Sequence, residues 1–253
     1  MFIDLILKHK RTRLMKLIYQ KNTLHNESPL HYSAQPICDH GKNVLGYEVC
    51  TTIHGLHVEK FVSEASPELL LNVLISQMNF VKYYSYDDEK YWSFNLDPRI
   101  LYKSNLVDEL VLHTQNLPFS CVLEITENHE LPDKGITEAT LAKLKSNGSK
   151  IFLDDFGSAY SNVEVLNSYD FDGLKLDKSL LSNVSSDKNS HSNLEKLFNL
   201  TANSQLECVV EGVETSQELE ILTRIGFSRF QGYFLGRPFQ FADLFVESRK
   251  LSG

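Results

Sequence analysis

The chain has 253 residues, 42% of them hydrophobic and 23% charged, which is enough apolar content for a substantial core and excludes a disordered protein. Its length suits one large barrel of alternating strands and helices better than two average domains. A formal net charge of −8 argues against wholesale nucleic-acid binding, because a surface that neutralises phosphates carries excess Lys and Arg.

The charge is unevenly spread. Up to Lys21, the basic side chains Lys8, Lys10, Arg11, Arg13, Lys16 and Lys21 are set against Asp4 alone, among Phe2, Ile3, Leu5, Ile6, Leu14, Leu17 and Ile18. These apolar runs are too short and interrupted for a secretory signal or a transmembrane segment. Residues 1–31 therefore read as a basic amphipathic extension, helical in character, ahead of a domain over residues 32–253. Such an extension packs on the domain or on a second subunit, or else meets an acidic partner or a membrane surface. Cys38, Cys50, Cys121 and Cys208 form no C-x-x-C pair and no closely spaced framework, which points to thiols in a reducing compartment, the cytoplasm, and to neither disulfide nor zinc.

From Tyr32 onward short apolar runs alternate with helical patterns, as in an α/β chain with mostly parallel strands. The first run, Asn43–Thr51, follows a turn at Asp39-His40-Gly41-Lys42. A helix is expected over Pro67–Tyr84, where Leu69, Leu70, Val73, Leu74, Met78 and Val81 recur at helical spacing behind a proline suited to a first turn. Later runs share one feature: each is apolar and then turns polar at its C-terminal end. They are Tyr91–Leu96 around Asn95, Cys121–Thr126 around Glu124, Ile151–Leu153 into Asp154 and Asp155, Gly173–Leu176 around Lys175 into Asp177, Cys208–Val210 into Glu211, and Arg229–Phe230 into Gln231. Helices are expected between them over Ile136–Lys145, Asn162–Ser168, Leu194–Ala202 and Ser216–Ile225. The polar stretch Ser182–Asn193 reads as a loop. His54-x-x-His57 lacks a third partner at ligand spacing and reads as a solvated loop.

Polar strand ends of this kind build the active site of an α/β barrel. Glu48, Asn95, Glu124, Asp154, Asp155, Lys175, Asp177, Glu211 and Gln231 would meet in one mouth, where so many carboxylates repel one another unless protons or cations offset the charge. Oxygen donors without Cys or His select hard divalent ions, Mg²⁺ or Mn²⁺. Asp154 and Asp155 are neighbours, and neighbours in a regular strand face opposite ways; they converge only where the strand ends, an ending expected at Phe156-Gly157. Adjacent carboxylates can bridge a metal pair of the type that hydrolyses phosphodiesters. Lys175 and Asp177 are spaced to share a strand face, the carboxylate holding an ammonium that positions water and stabilises phosphoryl charge.

Eight ordered motifs resemble those of the EAL domain, the bacterial cyclic di-GMP phosphodiesterase, over about residues 32–240. They are Gln35-Pro36-Ile37, Gly46-Tyr47-Glu48-Val49-Cys50, Asn95-Leu96-Asp97-Pro98-Arg99, Glu124-Ile125-Thr126-Glu127, Asp154-Asp155-Phe156-Gly157, Lys175-Leu176-Asp177, Glu211-Gly212-Val213-Glu214-Thr215 and Gln231-Gly232-Tyr233. The resemblance implies a TIM-like (β/α)8 barrel with an antiparallel first strand and a divalent-metal reaction, with two ions, Mg²⁺ or Mn²⁺, that opens cyclic di-GMP (c-di-GMP) to linear pGpG. It makes Glu48, Asn95, Glu124 and Asp154 ligands of one ion and Asp154, Asp155 and Glu211 ligands of the other. By the same resemblance, Lys175 holds the attacking water with support from Asp177 and Gln231. Glu127 fixes the loop after Asp155, whose ordering the family couples to dimerisation, and Gln35 and Pro238 lie along the guanine sites.

Two positions depart from the family pattern. Thr52 stands where the family usually has an arginine that grips a substrate phosphate, and Ala159 stands at a usual glycine. Two readings follow: an active phosphodiesterase that forms a homodimer, or a regulator of the same fold that binds a protein partner or c-di-GMP without turnover.

Overall fold

The computed structural model describes residues 30–53, 57–84, 89–126, 130–157, 163–182, 184 and 188–241. Its first strand, β1 (Leu30–Cys38), is not among the runs expected from the sequence. Apart from His31 and Gln35 every residue in it is buried, so it lacks the polar alternation that marks a strand with one wet face. A turn at Asp39–Asn43, held by Asn43 N donating to Asp39 Oδ1 at 2.8 Å, returns the chain into β2 (Val44–Ile53). Thr52 therefore lies inside a strand and pairs with His31.

Helices α1 (Val58–Glu64) and α2 (Pro67–Tyr84) lead to β3 (Tyr91–Asn95). α2 matches its expected bounds, and Leu69 to Val81 supply the buried face that makes the helix pay its ordering entropy. There follow α3 (Ser104–Thr114), β4 (Ser120–Thr126), α4 (Lys134–Lys145), β5 (Lys150–Phe156), α5 (Val163–Ser168) and β6 (Gly173–Leu176). The chain continues with α6 (Lys188–Asn203), β7 (Glu207–Val210), α7 (Ser216–Ile225), β8 (Arg229–Gln231) and β9 (Phe239–Gln240). The loop expected over Ser182–Asn193 is helical from Lys188: the polar first turns of α6 show no apolar period and extend a helix anchored at Leu194. α1 escapes the sequence patterns because it has no fully buried residue. α7 starts in a capping box, with Thr215 accepting from Glu218 N while the Glu218 side chain accepts from Thr215 N.

Hydrogen bonding runs in the order β2-β3-β4-β5-β6-β7-β8-β1, and the β1–β2 pairing closes the barrel. β1 is antiparallel to both β2 and β8, whereas β2 through β8 are mutually parallel. The (β/α)8 architecture with an inverted first strand is thus the observed fold. Between strands and helices lies one large apolar core, and a second small cluster of Ile37, Val122, Phe152 and Val209, with Tyr91 against it, plugs the barrel's inside.

Two glycines make room for that plug. A Cβ on Gly46 would sit 2.7 Å from the Tyr91 ring, and one on Gly173 would sit 2.7 Å from the Phe152 ring and 2.5 Å from Glu207 O. A backbone oxygen in a ladder cannot step aside. Gly173→Ala should therefore cost near the top of the overpacking range, about 3 kcal/mol, and lower Tm by roughly 6–12 °C. A thermal melt checks this, and an unchanged Tm would show that the floor of the barrel yields.

Candidate active site

Two residues beyond the apolar plug, on the same strand faces, the barrel interior turns polar. Alternation carries Ile37 to Gln35 on β1, Val122 to Glu124 on β4, Phe152 to Asp154 on β5 and Val209 to Glu211 just past β7. On β6 it carries Gly173 to Lys175, and on β3 it carries Tyr91 through Ser93 to Asn95. Glu48 of β2 faces Gln35 across the ladder, and Gln231 ends β8.

Lys175 is the centre of this layer. Its side chain is 1% exposed, and Nζ lies 2.6 Å from Glu211 Oε1, 3.1 Å from Glu48 Oε2, 3.2 Å from Glu124 Oε2 and 3.3 Å from Asp154 Oδ1. Glu48 is fixed from two further sides, accepting from Asn95 Nδ2 at 3.3 Å and from Gln231 Nε2 at 2.8 Å. Burial pulls the lysine pKa down, but the charges of Asp154, Glu124, Glu48 and Glu211 outweigh it and hold the ammonium well above its ordinary value. Burial pushes the Glu124 carboxyl well up; Lys175 opposes this in part, while Glu48 and Asp154 add to it. The same balance pushes Glu211 up to about 7. For Glu48 the upward push of burial loses to Lys175 and to the hydrogen bonds from Gln231, Lys175 and Asn95, which together hold it below its ordinary value.

Asp154 and Asp155 converge by a bulge rather than by the end of the strand. β5 continues through Phe156, its register against β6 shifts between Leu153 and Phe156, and Asp155 takes φ 57°. That left-handed residue turns its carboxylate back to the side of its neighbour. Oxygens of Asp154, Asp155 and Glu211 consequently lie within 4.8 Å of one another, the one such trio of possible metal-holding groups among the described residues. Asp154 Oδ1 is buried and accepts no hydrogen bond, and neither does Gln231 Oε1. Three clustered carboxylates, one of them with a buried oxygen that accepts no hydrogen bond, offer only oxygen ligands and fit a hard divalent ion.

A family model described as the EAL domain matches residues 20–238 of the chain. The chain belongs to the EAL domain family. Among curated relatives, this EAL domain is 34% identical over 123 residues to the probable cyclic di-GMP phosphodiesterase PdeG of Escherichia coli, covering 49% of the chain and 24% of the relative. It is 33% identical over 121 residues to the bifunctional diguanylate cyclase/cyclic di-GMP phosphodiesterase MucR of Pseudomonas aeruginosa, covering 48% and 18%. The matches thus span about a quarter or less of those relatives' lengths. Among solved structures, it superposes on the PaMucR phosphodiesterase in its c-di-GMP complex with TM-score 0.74 and 24% identity, over 85% of this chain and 94% of that one. The EAL domain of Mycobacterium smegmatis DcpA gives TM-score 0.74 and 23% identity, over 89% and 98%.

The barrel brings together Glu48, Asn95, Glu124, Asp154, Asp155, Lys175, Glu211 and Gln231. Glu48 and Glu124 face inward from mid-strand, since β2 runs on to Ile53 and β4 to Thr126. Asp177 differs from its expectation. β6 stops at Leu176, and the Asp177 carboxylate accepts from Ser179 N at 2.9 Å, capping a short 3-10 turn, while the four carboxylates above hold the ammonium. Gln35 Nε2 donates to Gly236 O at 3.3 Å, which brings it to the segment that carries Pro238. Glu127, Ala159, His54 and residues 1–29 lie outside the described residues. His57 is the residue before α1 and makes no capping bond through its side chain. Arg237, next to Pro238 on the segment that Gln35 touches, lays its guanidinium 4.4 Å from the centre of the exposed Tyr233 ring. A single basic residue between a glycine and a proline gives no pattern from which to find it.

Proposed function

We propose that this EAL domain hydrolyses c-di-GMP to linear pGpG with the aid of two divalent ions, Mg²⁺ or Mn²⁺. The observation that carries the reading is the polar interior layer itself: carboxylates from β2, β4, β5 and the end of β7 face one buried ammonium, and the trio of Asp154, Asp155 and Glu211 offers only carboxylate oxygens as ligands. Once all five carboxylates are ionised, they and the one ammonium leave a charge that two divalent ions would bring to neutrality, and such ions would favour that ionisation. The cyclic di-GMP phosphodiesterase names of PdeG and MucR and the manganese/cy-diGMP complex of the neighbour BlrP1 support the same substrate and ion class.

In this reading Asp154, Asp155 and Glu211 would hold one ion, and Glu48, Asn95, Glu124 and Asp154 would hold the other. When bound, such ions lower the pKa of water and neutralise charge that develops on phosphoryl oxygens. The chain's own residues supply position. Lys175 donates to the attacking water and stays cationic throughout, so it orients rather than deprotonates. Gln231 fixes Glu48 through Nε2, and its Oε1 is placed to accept a hydrogen bond from that water and so orient it. Asp177 pins the turn after Lys175, and Glu127 steadies the loop after Asp155. Gln35 and Pro238 line the guanine sites, and the working unit is a homodimer.

The test is incubation of the purified chain with c-di-GMP and Mg²⁺ or Mn²⁺, followed by chromatography. Appearance of pGpG supports the reading. Binding of c-di-GMP without product would favour the regulator instead, a reading that the exposed Thr52 at the end of β2 keeps open. On metal-stripped protein, Mn²⁺ at about a hundred times its Kd should raise Tm by about 5–10 °C. Ca²⁺ should bind yet inhibit, because the larger ion tolerates the oxygens without enforcing the spacing that in-line attack needs. A melt unmoved by Mg²⁺, Mn²⁺ and Ca²⁺ alike would remove the metal assignment. Among the described residues no helix is long and apolar enough to cross a membrane.

A further inference from the structure

We propose that His31, the cross-strand partner of Thr52, is a substrate-binding residue whose imidazole donates to the phosphate of c-di-GMP that is not cleaved, replacing in part the guanidinium absent from position 52. The inference rests on the c-di-GMP reading above and adds to it a residue that lies outside the eight motifs.

The pairing of β1 with β2 sets His31 opposite Thr52, Ser33 opposite Cys50 and Gln35 opposite Glu48. Opposite residues of a ladder share a face, and so do alternate residues of one strand, so these six side chains form one surface. The residues between them point the other way, into the helix layer: Tyr32 Oη donates to Ser76 Oγ at 2.9 Å, and Thr51 Oγ1 accepts from Gln77 Nε2 at 2.6 Å, both partners on α2. Glu48 turns inward to Lys175, so the surface that carries His31 and Thr52 is the one that lines the mouth.

Thr52 lies four residues beyond Glu48, about 13 Å along the strand. A contact at this rim is remote from the phosphate that meets Lys175. c-di-GMP has two phosphodiesters, however, and the second needs a donor away from the carboxylates that repel it. His31 is exposed, and among the described residues its imidazole has no hydrogen bond or ion pair; Thr52 Oγ1 donates to the His31 backbone carbonyl, at 3.4 Å, and leaves the ring alone. Opposite Cβ atoms are about 4.5–5.5 Å apart, so the ring starts within a side chain's length of where an arginine at position 52 would start. An imidazole carries one N–H when neutral and two when protonated, and so donates to a phosphate oxygen in either state. It lacks the two-pronged fork of a guanidinium, which is why it recovers only part of the contact.

The experiment measures KM and kcat for c-di-GMP with Mn²⁺, and the Kd of c-di-GMP by calorimetry with Ca²⁺, on the full chain as wild type, His31→Ala, His31→Lys, Thr52→Arg and the double variant His31→Ala/Thr52→Arg. His31→Ala should raise KM and Kd about threefold to tenfold, the equivalent of one hydrogen bond, with kcat within about twofold because the phosphate concerned does not react. His31→Lys, which keeps a donor of longer reach, should bind at least as well as wild type. With arginine at position 52 the loss of His31 should raise KM less than about twofold, whereas a merely structural role would show the same loss in both backgrounds. An unchanged KM and Kd in His31→Ala, a loss that His31→Lys does not rescue, or an equal loss with and without Thr52→Arg would each overturn the proposal and leave the phosphodiesterase reading standing. Failure of wild type to bind c-di-GMP with either ion would overturn that reading itself.

Discussion

Asp154→Ala is expected to lower kcat for c-di-GMP by at least about a thousandfold at saturating Mn²⁺, the rate equivalent of roughly 4 kcal/mol of lost transition-state stabilisation. No other carboxylate in the layer is shared by both proposed ion sites, and Asp154 carries the buried oxygen that accepts no hydrogen bond. The fold should survive. Lys175 keeps Glu48, Glu124 and Glu211 at 3.2 Å or less, so its charge is not orphaned by the truncation. A melt within a few degrees of wild type together with loss of pGpG formation is the expected pair of results. Near-full turnover in the variant would mean that the trio does not hold the catalytic ion.

Thr52→Arg is expected to lower KM by about tenfold or more with kcat little changed, the pattern of restored uniform binding, because a charge-assisted phosphate contact contributes roughly 1.5–3 kcal/mol. Alternation along β2 puts Thr52 on the face of Glu48 and Cys50, one residue before the end of the strand. Its hydroxyl makes only a long bond there, donating to His31 O at 3.4 Å, so little is lost by replacing it. A long side chain at this exposed position can lean over the mouth and keep its charge near solvent. Steady-state kinetics on both proteins decides the matter. An unchanged KM with the fold intact would assign the phosphate grip to another group, and Arg237 on the segment that Gln35 touches would be the next to replace.

The local patterns of this chain already specify much of the barrel. α2 and α7 keep their expected bounds because each combines a buried stripe with a recognisable start, Pro67 in one and the Thr215–Glu218 box in the other. The polar positions of β4, β6 and β8 stand out because an inward-facing polar or charged group in an apolar run has no structural excuse except a partner. β1 is different: buried on nearly all sides, it lacks the alternation that a local reading needs, and only closure of the barrel makes it a strand.

Three features were decided by tertiary structure alone. The depth of Glu48 and Glu124 follows from the stagger of neighbouring strands, which a linear run does not contain. The convergence of Asp154 and Asp155 needs a positive φ at a residue other than glycine and a register shift against β6, a pairing that the linear run does not contain. The choice of Glu48, Glu124, Asp154 and Glu211, rather than Asp177, as the groups that hold Lys175 depends on four strands meeting around one axis. Spacing within a strand says which side chains share a face, but distance across a barrel belongs to the fold.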